Sequence, residues 1–428
     1  MKKLLAMFAA LAFGFSLIAC GNSDNRTKVV FWHTMGKDNQ VMLEKWIEEF
    51  EKAHPDIKIE HAAQGGYDDI NDKLKKAIPA GTYPTMAFAY PDHVADYLGK
   101  NFANSKVVPL NDLINDPEIG IDLNDYVDSY LEEGLSYGTD TYYSMPYTKS
   151  TEVLFYNKTF FDANGLVPPT TWDEFETLAA KIRELDSESI VLGYDSADNL
   201  FITMAEQNGN PYTSANPDEH YLFNVEANHN MVKKLDTWFD NKWLTTKDML
   251  NGDYTSNKFK AQDIYMSVGS TGGIGYNVPA DDEEGNPSFD AAAAKLPQVD
   301  PENGKAISQG PSICFFKQSD KQVRAAWQFY AYITNAENSA KWASETGYNP
   351  VNKGSYETET YKKYLAKDDL YGRVAKVTKE MDSWYFVSPA FKGSSTARKQ
   401  VGLILTNVFG NKFSVEQAFQ AAIDTLEF

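Results

Sequence analysis

The sequence predicts an α/β protein with more than one lobe, and three observations carry that. Short apolar strands alternate with amphipathic helices between Val29 and Tyr90. The same alternation begins again at Glu152 and returns once more near Ile307. The chain has 428 residues, room for about two to three domains at roughly 150 residues each.

The elements follow in order. Val29-Val30-Phe31-Trp32 is a short apolar run that predicts a buried strand. Leu43, Trp46, Ile47 and Phe50 fall at helical spacing, and His54-Pro55-Asp56 stops that helix. Ile57-Lys58-Ile59-Glu60 alternates as a strand does. Ile70, Leu74 and Ile78 mark a second helix, closed near Gly81. Met86 to Tyr90 is a third strand, so this order argues for a parallel sheet with helices on its faces. Val107 to Leu135 holds short apolar clusters between acidic loops.

Glu152 to Tyr156 predicts another strand. Thr171 and Glu174 form a capping box for a helix reaching about Leu185. Residues 186–260 look loop-rich, with helical pieces around Met231 to Phe239. Ile264 to Val268 is a strand that runs into Gly269-Ser270-Thr271-Gly272-Gly273. Residues 278–304 are rich in Pro, Asp and Gly, with Ala291 to Ala294 between turns. Ile307 to Phe316 predicts one more strand, and Val323, Ala326, Trp327, Tyr330 and Ile333 a further helix. There is no sequence repeat of the solenoid kind.

Sixty acidic residues against 40 basic ones give a formal charge of −20. A phosphate backbone needs a basic face, so the chain is not a general nucleic-acid binder. Aromatic residues make up 14% of the chain, enough to furnish a stacking pocket beyond the core.

The N-terminus has the pattern of an export address. Lys2 and Lys3 precede the apolar run Leu4 to Ala19, which is shorter than the ~20 residues of a spanning helix. It ends in Leu17-Ile18-Ala19-Cys20, the pattern of a lipoprotein signal box in which the Cys thiol takes the lipid. An ordinary cleaved signal with a chance Cys is the alternative. Residues 1–20 are therefore expected to be a lipoprotein signal peptide and 21–27 a tether. With Cys20 lipidated, Cys314 stands alone in an apolar run, as a buried thiol.

Catalytic signatures are missing: no HExxH, G-x-S-x-G, phosphate-binding P-loop or paired CxxC occurs. The six histidines do not fall at metal-ligand spacing, so no metal and no cofactor is expected. His33 follows a strand and is placed to line a cleft, whereas His54 and His61 are expected at the surface. Asp281 to Glu284 is a solvated acidic loop. The Gly269–Gly273 turn lets a ligand reach backbone N–H groups, or is a tight turn touching nothing. Thr396 or a neighbouring Ser is placed to cap a helix with Arg398 in its first turn. A cation there opposes the helix dipole, and an anionic or hydroxyl-rich ligand would relieve it. A plain surface arginine is the alternative. Trp32, Tyr67, Tyr90, Tyr147, Tyr348, Trp384 and Tyr385 stand at strand ends, where rings stack on sugars and phenols bond to hydroxyls.

Several motifs, taken in order, resemble the family 1 extracellular solute-binding proteins of ABC importers. They are the lipid box, Phe31-Trp32-His33-Thr34-Met35, Pro84 to Tyr90, Val153 to Lys158, Thr171 to Glu174 and Thr346 to Pro350. Within that family the pattern is similar to the binders of glycerol 3-phosphate and glycerophosphodiesters. On that resemblance Tyr67 after Gly65-Gly66, Tyr90, Ser150, Ser270, Gly310 and Tyr348 match ligand positions. Arg398 matches the arginine beside the phosphate. Those binders carry Glu directly after the residue matching Tyr90. This chain has Pro91 and then Asp92, which leaves a mono- or oligosaccharide open as the ligand. Asp92, Trp32 and Trp384 complete the candidate set.

The resemblance implies a two-lobed, type II periplasmic-binding-protein-like fold, its lobes joined by hinge strands with the ligand cleft between them. Residues 28–140 with 306–340 would form the N-terminal lobe, and 141–305 with 341–428 the C-terminal lobe. It further implies a monomer, held on the outer face of the cell membrane by lipid on Cys20. The closed form would deliver its solute to permease subunits served by a separate ATPase. The competing expectations are an exported glycoside hydrolase, which needs two carboxyl groups about 5–9.5 Å apart, and a carbohydrate-binding surface adhesin.

Overall fold

The computed structural model describes residues 24–216 and 218–426. The signal segment and Cys20 lie outside the described residues. Thr27, the last residue of the expected tether, already belongs to the first strand, and Arg26 pairs with Glu51 at 2.9 Å.

Twelve strands are formed among the described residues. They are β1 (Thr27–His33), β2 (Ile57–Ala63), β3 (Met86–Ala89), β4 (Ser144–Pro146), β5 (Glu152–Asn157) and β6 (Ile190–Tyr194). β7 (Leu244–Thr246), β8 (Ile264–Ser270), β9 (Ala291–Ala294), β10 (Ala306–Ile307), β11 (Ser312–Phe315) and β12 (Tyr385–Phe386) follow. One five-stranded sheet has the order β2-β1-β3-β11-β4 and the other β7-β6-β8-β5-β9, while β10 and β12 form a separate pair. In the first sheet β1 runs parallel to β2 and β3, and β11 is antiparallel to β3 and β4. In the second β6 is parallel to β7 and β8, and β5 is antiparallel to β8 and β9.

Local chemistry explains the first lobe. Val29 and Phe31 alternate with more exposed neighbours along β1 and carry its buried face. The helix Lys37–Ala53 buries Leu43, Trp46, Ile47 and Phe50, and the His54 N–H closes it on the Phe50 carbonyl. The helix Tyr67–Ala80 ends on Gly81, which takes the left-handed conformation at φ 72°. In the second lobe the capping box forms as expected. The Glu174 N–H donates to Thr171 Oγ1 at 3.1 Å, and Thr171 N–H donates back to Glu174 at 3.3 Å.

Three differences from the sequence reading have physical causes. The segment 186–260 is not loop-rich: it holds β6, which pairs with both β7 and β8, and the helix Ala197–Gln207. That helix buries Ala197 and every residue from Asn199 to Ala205, with Asp198 part-exposed, so its buried positions do not mark a single face. Ala291 to Ala294 is an edge strand although alanine has little β propensity. The run from Ile307 to Phe316 is split into β10 and β11 at Gly310, whose φ of 86° and close approach to the Thr148 carbonyl admit only glycine. The first sheet also continues past residue 140. β4 hydrogen-bonds to β11 in the first sheet. The helix Ala336–Thr346 sets Trp342 against Trp46 and Tyr147, with centroids at 6.1 and 5.2 Å.

Three segments cross side by side between the sheets. Ser150 and Gln309 exchange backbone hydrogen bonds at 3.0 and 2.8 Å, and Asn349 N–H donates to Lys149 O at 2.6 Å. Inside this crossing the Lys149 ammonium meets the Glu133 carboxylate, both fully buried. Lys149 Nζ also donates to Gly310 O at 2.9 Å, and Ser308 and Ser312 donate to Glu133 at 3.3 and 3.0 Å.

Candidate functional site

The first lobe supplies three candidates from the ends of its strands. Gly65, at φ 97°, and Gly66 turn the chain into a helix whose first residue is Tyr67. Tyr90 follows β3 and is the N-cap residue of the helix Pro91–Leu98, with Pro91 at the first position. The Tyr67 and Tyr90 rings meet edge to face at 4.9 Å. Asp92 sits in the first turn of that helix and accepts from the His93 N–H at 3.0 Å.

The second lobe and the crossing segments supply the rest. Ser150 is buried, and the Ser270 hydroxyl donates to its Oγ at 3.1 Å. Ser270 Oγ in turn accepts from the Gly272 N–H at 3.2 Å. The turn after β8 is therefore not empty of contacts. The Tyr348 ring lies on Gly272, where a Cβ would stand 2.7 Å from ring carbons. Gly310 is buried at the crossing.

Arg398 differs from its expected position. The helix Ser394–Phe409 begins on Gly393, at φ 104°, so Arg398 lies in its second turn and neither Thr396 nor a Ser caps it. The dipole conflict is met within the chain: Arg398 Nε lies 2.7 Å from Asp198 Oδ2 in an ion pair, and Nη2 donates to Asn199 Oδ1. Gly402 makes this pairing possible. Its Cα faces the Asp198 backbone so closely that a Cβ would stand 3.1 Å from Asp198 N.

Electrostatics ties these residues into one group. Burial raises the Tyr90 phenol well above its usual value; Tyr67, Tyr348 and Asp92 add to this and Arg398 opposes it. Burial likewise raises Tyr348, with Tyr67 beside it. Burial disfavours the Arg398 charge, but Asp198, Tyr212, Asp92 and Tyr90 more than restore it. The result is a fixed cation that is 32% exposed at its side chain, ringed by neutral phenols and one carboxylate from the opposite lobe. Tyr67, Tyr90, Asp92, Tyr348 and Arg398 are thus brought together, with Ser150 and Ser270 paired near the crossing.

Two candidates have other surroundings. Trp32 lies within β1, half-buried and packed against the core. Trp384 covers Gly304, with the Lys295 ammonium 5.3 Å from its ring centre. His33 does not line a cleft. It is fully buried, and its Nε2 lies 3.0 Å from Nδ1 of His61, which is only partly exposed. Tyr147, Tyr385 and Cys314 are core residues, and burial holds the thiol protonated.

Sequence reasoning missed Asp198, Asn199, Tyr212 and Glu152. Glu152, at the start of β5, is buried, and desolvation pushes its carboxyl up to about 7. It accepts from Asn199 Nδ2 at 2.7 Å and from Tyr194. Only the Ser196 cap before Asn199 is a local signal, and it marks a helix start rather than a site. Among the described residues no group of three or more His, Cys, Asp or Glu is arranged to hold a metal, and no helix is long and apolar enough to cross a membrane.

Comparison with known proteins adds three findings. Residues 45–367 match the family profile described as bacterial extracellular solute-binding protein. The sn-glycerol-3-phosphate-binding periplasmic protein UgpB of Escherichia coli K12 is 26% identical over 381 residues, which cover 83% of this chain and 81% of that protein. Two solved structures share the fold. UgpB from Mycobacterium tuberculosis, in complex with glycerophosphocholine, has a TM-score of 0.74 at 21% identity, over 93% of this chain and 96% of that one. The cyclic alpha-maltosyl-1,6-maltose binding protein of Arthrobacter globiformis has a TM-score of 0.74 at 18% identity, over 93% and 97%.

Proposed function

The chain belongs to the bacterial extracellular solute-binding proteins, and from that premise we propose that it captures a phosphate ester of glycerol for an ABC importer. Glycerol 3-phosphate or a glycerophosphodiester enters between the lobes and closes them. The closed form then hands the solute to permease subunits driven by a separate ATPase. The role is binding rather than turnover, since members of this family are binding proteins; neither a hydrolase nor an adhesin is needed.

One observation carries the choice of ligand. Arg398 is a charged guanidinium among Tyr90 and Asp92 of one lobe and Asp198 of the other. Guanidinium matches phosphate oxygens in pairs. Neutral phenols at Tyr67, Tyr90 and Tyr348 bond to hydroxyls, and the Ser150–Ser270 pair adds two more hydroxyls. Closure strips water from these groups, so each has to be satisfied by the ligand. For the movement itself we take β1 to β4 with β11 as one body and β5 to β9 as the other. The box Leu17-Ile18-Ala19-Cys20 supports lipid on Cys20 after removal of residues 1–20. That anchor keeps the protein near its permease and raises effective concentration; lipid labelling lost on Cys20→Ala tests it.

The test of ligand class is thermal unfolding of the purified protein against glycerol 3-phosphate, glycerophosphocholine and neutral mono- and oligosaccharides. A ligand at 100 times its Kd stabilises by about 2.7 kcal/mol, visible as a rise in Tm. Phosphate esters should raise the Tm of the wild type and not of Arg398→Ala, and the ligand should be recovered intact. A rise with neutral sugars alone, kept in the variant, replaces the phosphate ester by a carbohydrate.

A further inference from the structure

We infer that Asn199, held by Glu152, is the positioning residue that aims the Arg398 guanidinium into the cleft. The inference rests on the reading of Arg398 as the ligand's cation. Asn199 is the third residue of the helix Ala197–Gln207, 5% exposed, and its backbone is fixed by the Ser196 cap at 3.2 Å. Its side chain bridges two groups of opposite character. Arg398 has only donors, so the atom facing Nη2 has to be the amide oxygen. The amide nitrogen then points at Glu152 Oε1, 2.7 Å away. Oε1 is an acceptor whether or not Glu152 carries a proton, and it also accepts from Gln309 Nε2 at 3.3 Å. The other oxygen, Oε2, is engaged by the Tyr194 hydroxyl. Glu152 is 2% exposed and cannot turn to water instead.

The consequence is directional. One Nη2 hydrogen is taken by Asn199, and the Asp198 carboxylate stands 2.7 Å from Nε as ion-pair partner. Four of the five guanidinium hydrogens remain, and the plane holding them is set by the Asn199 acceptor and the Asp198 charge beside it. An amide free to flip would present its NH₂ to a cation and turn that plane away. The relay also reaches the hinge, since Gln309 lies on a crossing segment bonded to Ser150.

The experiment uses the purified protein and two readouts. The first is the Kd for glycerol 3-phosphate in wild type, Asn199→Ala, Glu152→Leu, Glu152→Gln, Arg398→Ala and the double variant Asn199→Ala/Arg398→Ala. The second is side-chain NMR of Arg398 without ligand, where a held guanidinium gives separate Nη signals and a rotating one gives merged signals. Asn199→Ala and Glu152→Leu should each weaken binding about tenfold, as loss of one charge-assisted hydrogen bond does. Glu152→Gln keeps an amide oxygen toward Asn199 and should restore binding. Asn199→Ala should add nothing once Arg398 is gone, and should merge the Nη signals. An equal loss in the Arg398→Ala background, or unmerged signals in both Asn199→Ala and Glu152→Leu, overturns the inference. If wild type binds no phosphate ester, the ligand reading fails by itself, and the NMR readout still decides the positioning.

Discussion

His33 is buried with no carboxylate against it, and that makes a titration visible. Its Nδ1 accepts from the Met35 N–H at 3.1 Å, so the proton sits on Nε2 and is donated to His61 Nδ1. Both faces of the neutral ring are used, and a second proton has no place. Burial, with His61 adding to it, lowers the His33 pKa to about 4 from the ordinary 6.5. The unfolded chain takes up the proton below about pH 6.5, while the folded chain refuses it until about pH 4. Stability is therefore full above pH 6.5 and falls as the pH drops toward 4, by about 3 kcal/mol over the whole window. Urea unfolding at pH 7 and pH 4.5 should show His33→Gln less stable at pH 7 but with a flatter loss than wild type. Parallel losses in the two proteins would remove His33 as the cause.

At the scale of elements, the contact between the helices Ala197–Gln207 and Ser394–Phe409 decides where Arg398, the proposed ligand cation, stands. Gly402 lies against Asp198, with 3.0 Å between an added Cβ and Asp198 Cβ. Gly402→Leu has no room and should push the helices apart. We expect a stability loss of about 1–3 kcal/mol from overpacking, together with weaker phosphate-ester binding as Arg398 leaves Asp198 and Asn199. Unchanged urea midpoints and unchanged affinity would show that the interface yields at no cost. The same pair of helices shows what a sequence can and cannot disclose. The strands at 29–90 and the Thr171 capping box are legible because alternation and caps are local. The helix Ala197–Gln207 is not, because its buried positions do not mark a single face. β6 contains Gly193, which sits against Thr255 and interrupts the apolar run. Tyr67, Tyr90, Ser150, Ser270, Tyr348 and Arg398 could be put forward as candidates from ordered motifs. The partners of Arg398 could not, because nearly two hundred positions separate them from it in sequence and only the packing of two helices joins them.

At the scale of the molecule, the two sheets are joined where Lys149 and Glu133 meet. The pair is out of water entirely, and burial lowers the Lys149 pKa while Glu133 opposes that. Lys149, Gly310, Ser308 and Ser312 all belong to the segments that cross or flank the crossing, so one carboxylate and one ammonium organise them. The polar groups are satisfied, yet the desolvation of two charges cancels much of their attraction. Removing one partner leaves the other charge buried alone. Lys149→Met should therefore cost about 3–5 kcal/mol, and Glu133→Met a similar amount. The double variant, with methionine at both positions, should regain most of that stability, because an apolar pair of similar volume carries no desolvation cost. What it should not regain is the register of the crossing. With no ammonium to hold it, the Gly310 carbonyl is a buried acceptor without its donor, and the turn that only glycine can make loses its anchor. The urea midpoint and the ligand Kd of the double variant should then part company, the first near wild type and the second weakened. If both return to wild type, the ion pair is dispensable and the backbone hydrogen bonds of Ser150, Gln309 and Asn349 alone set how the lobes meet.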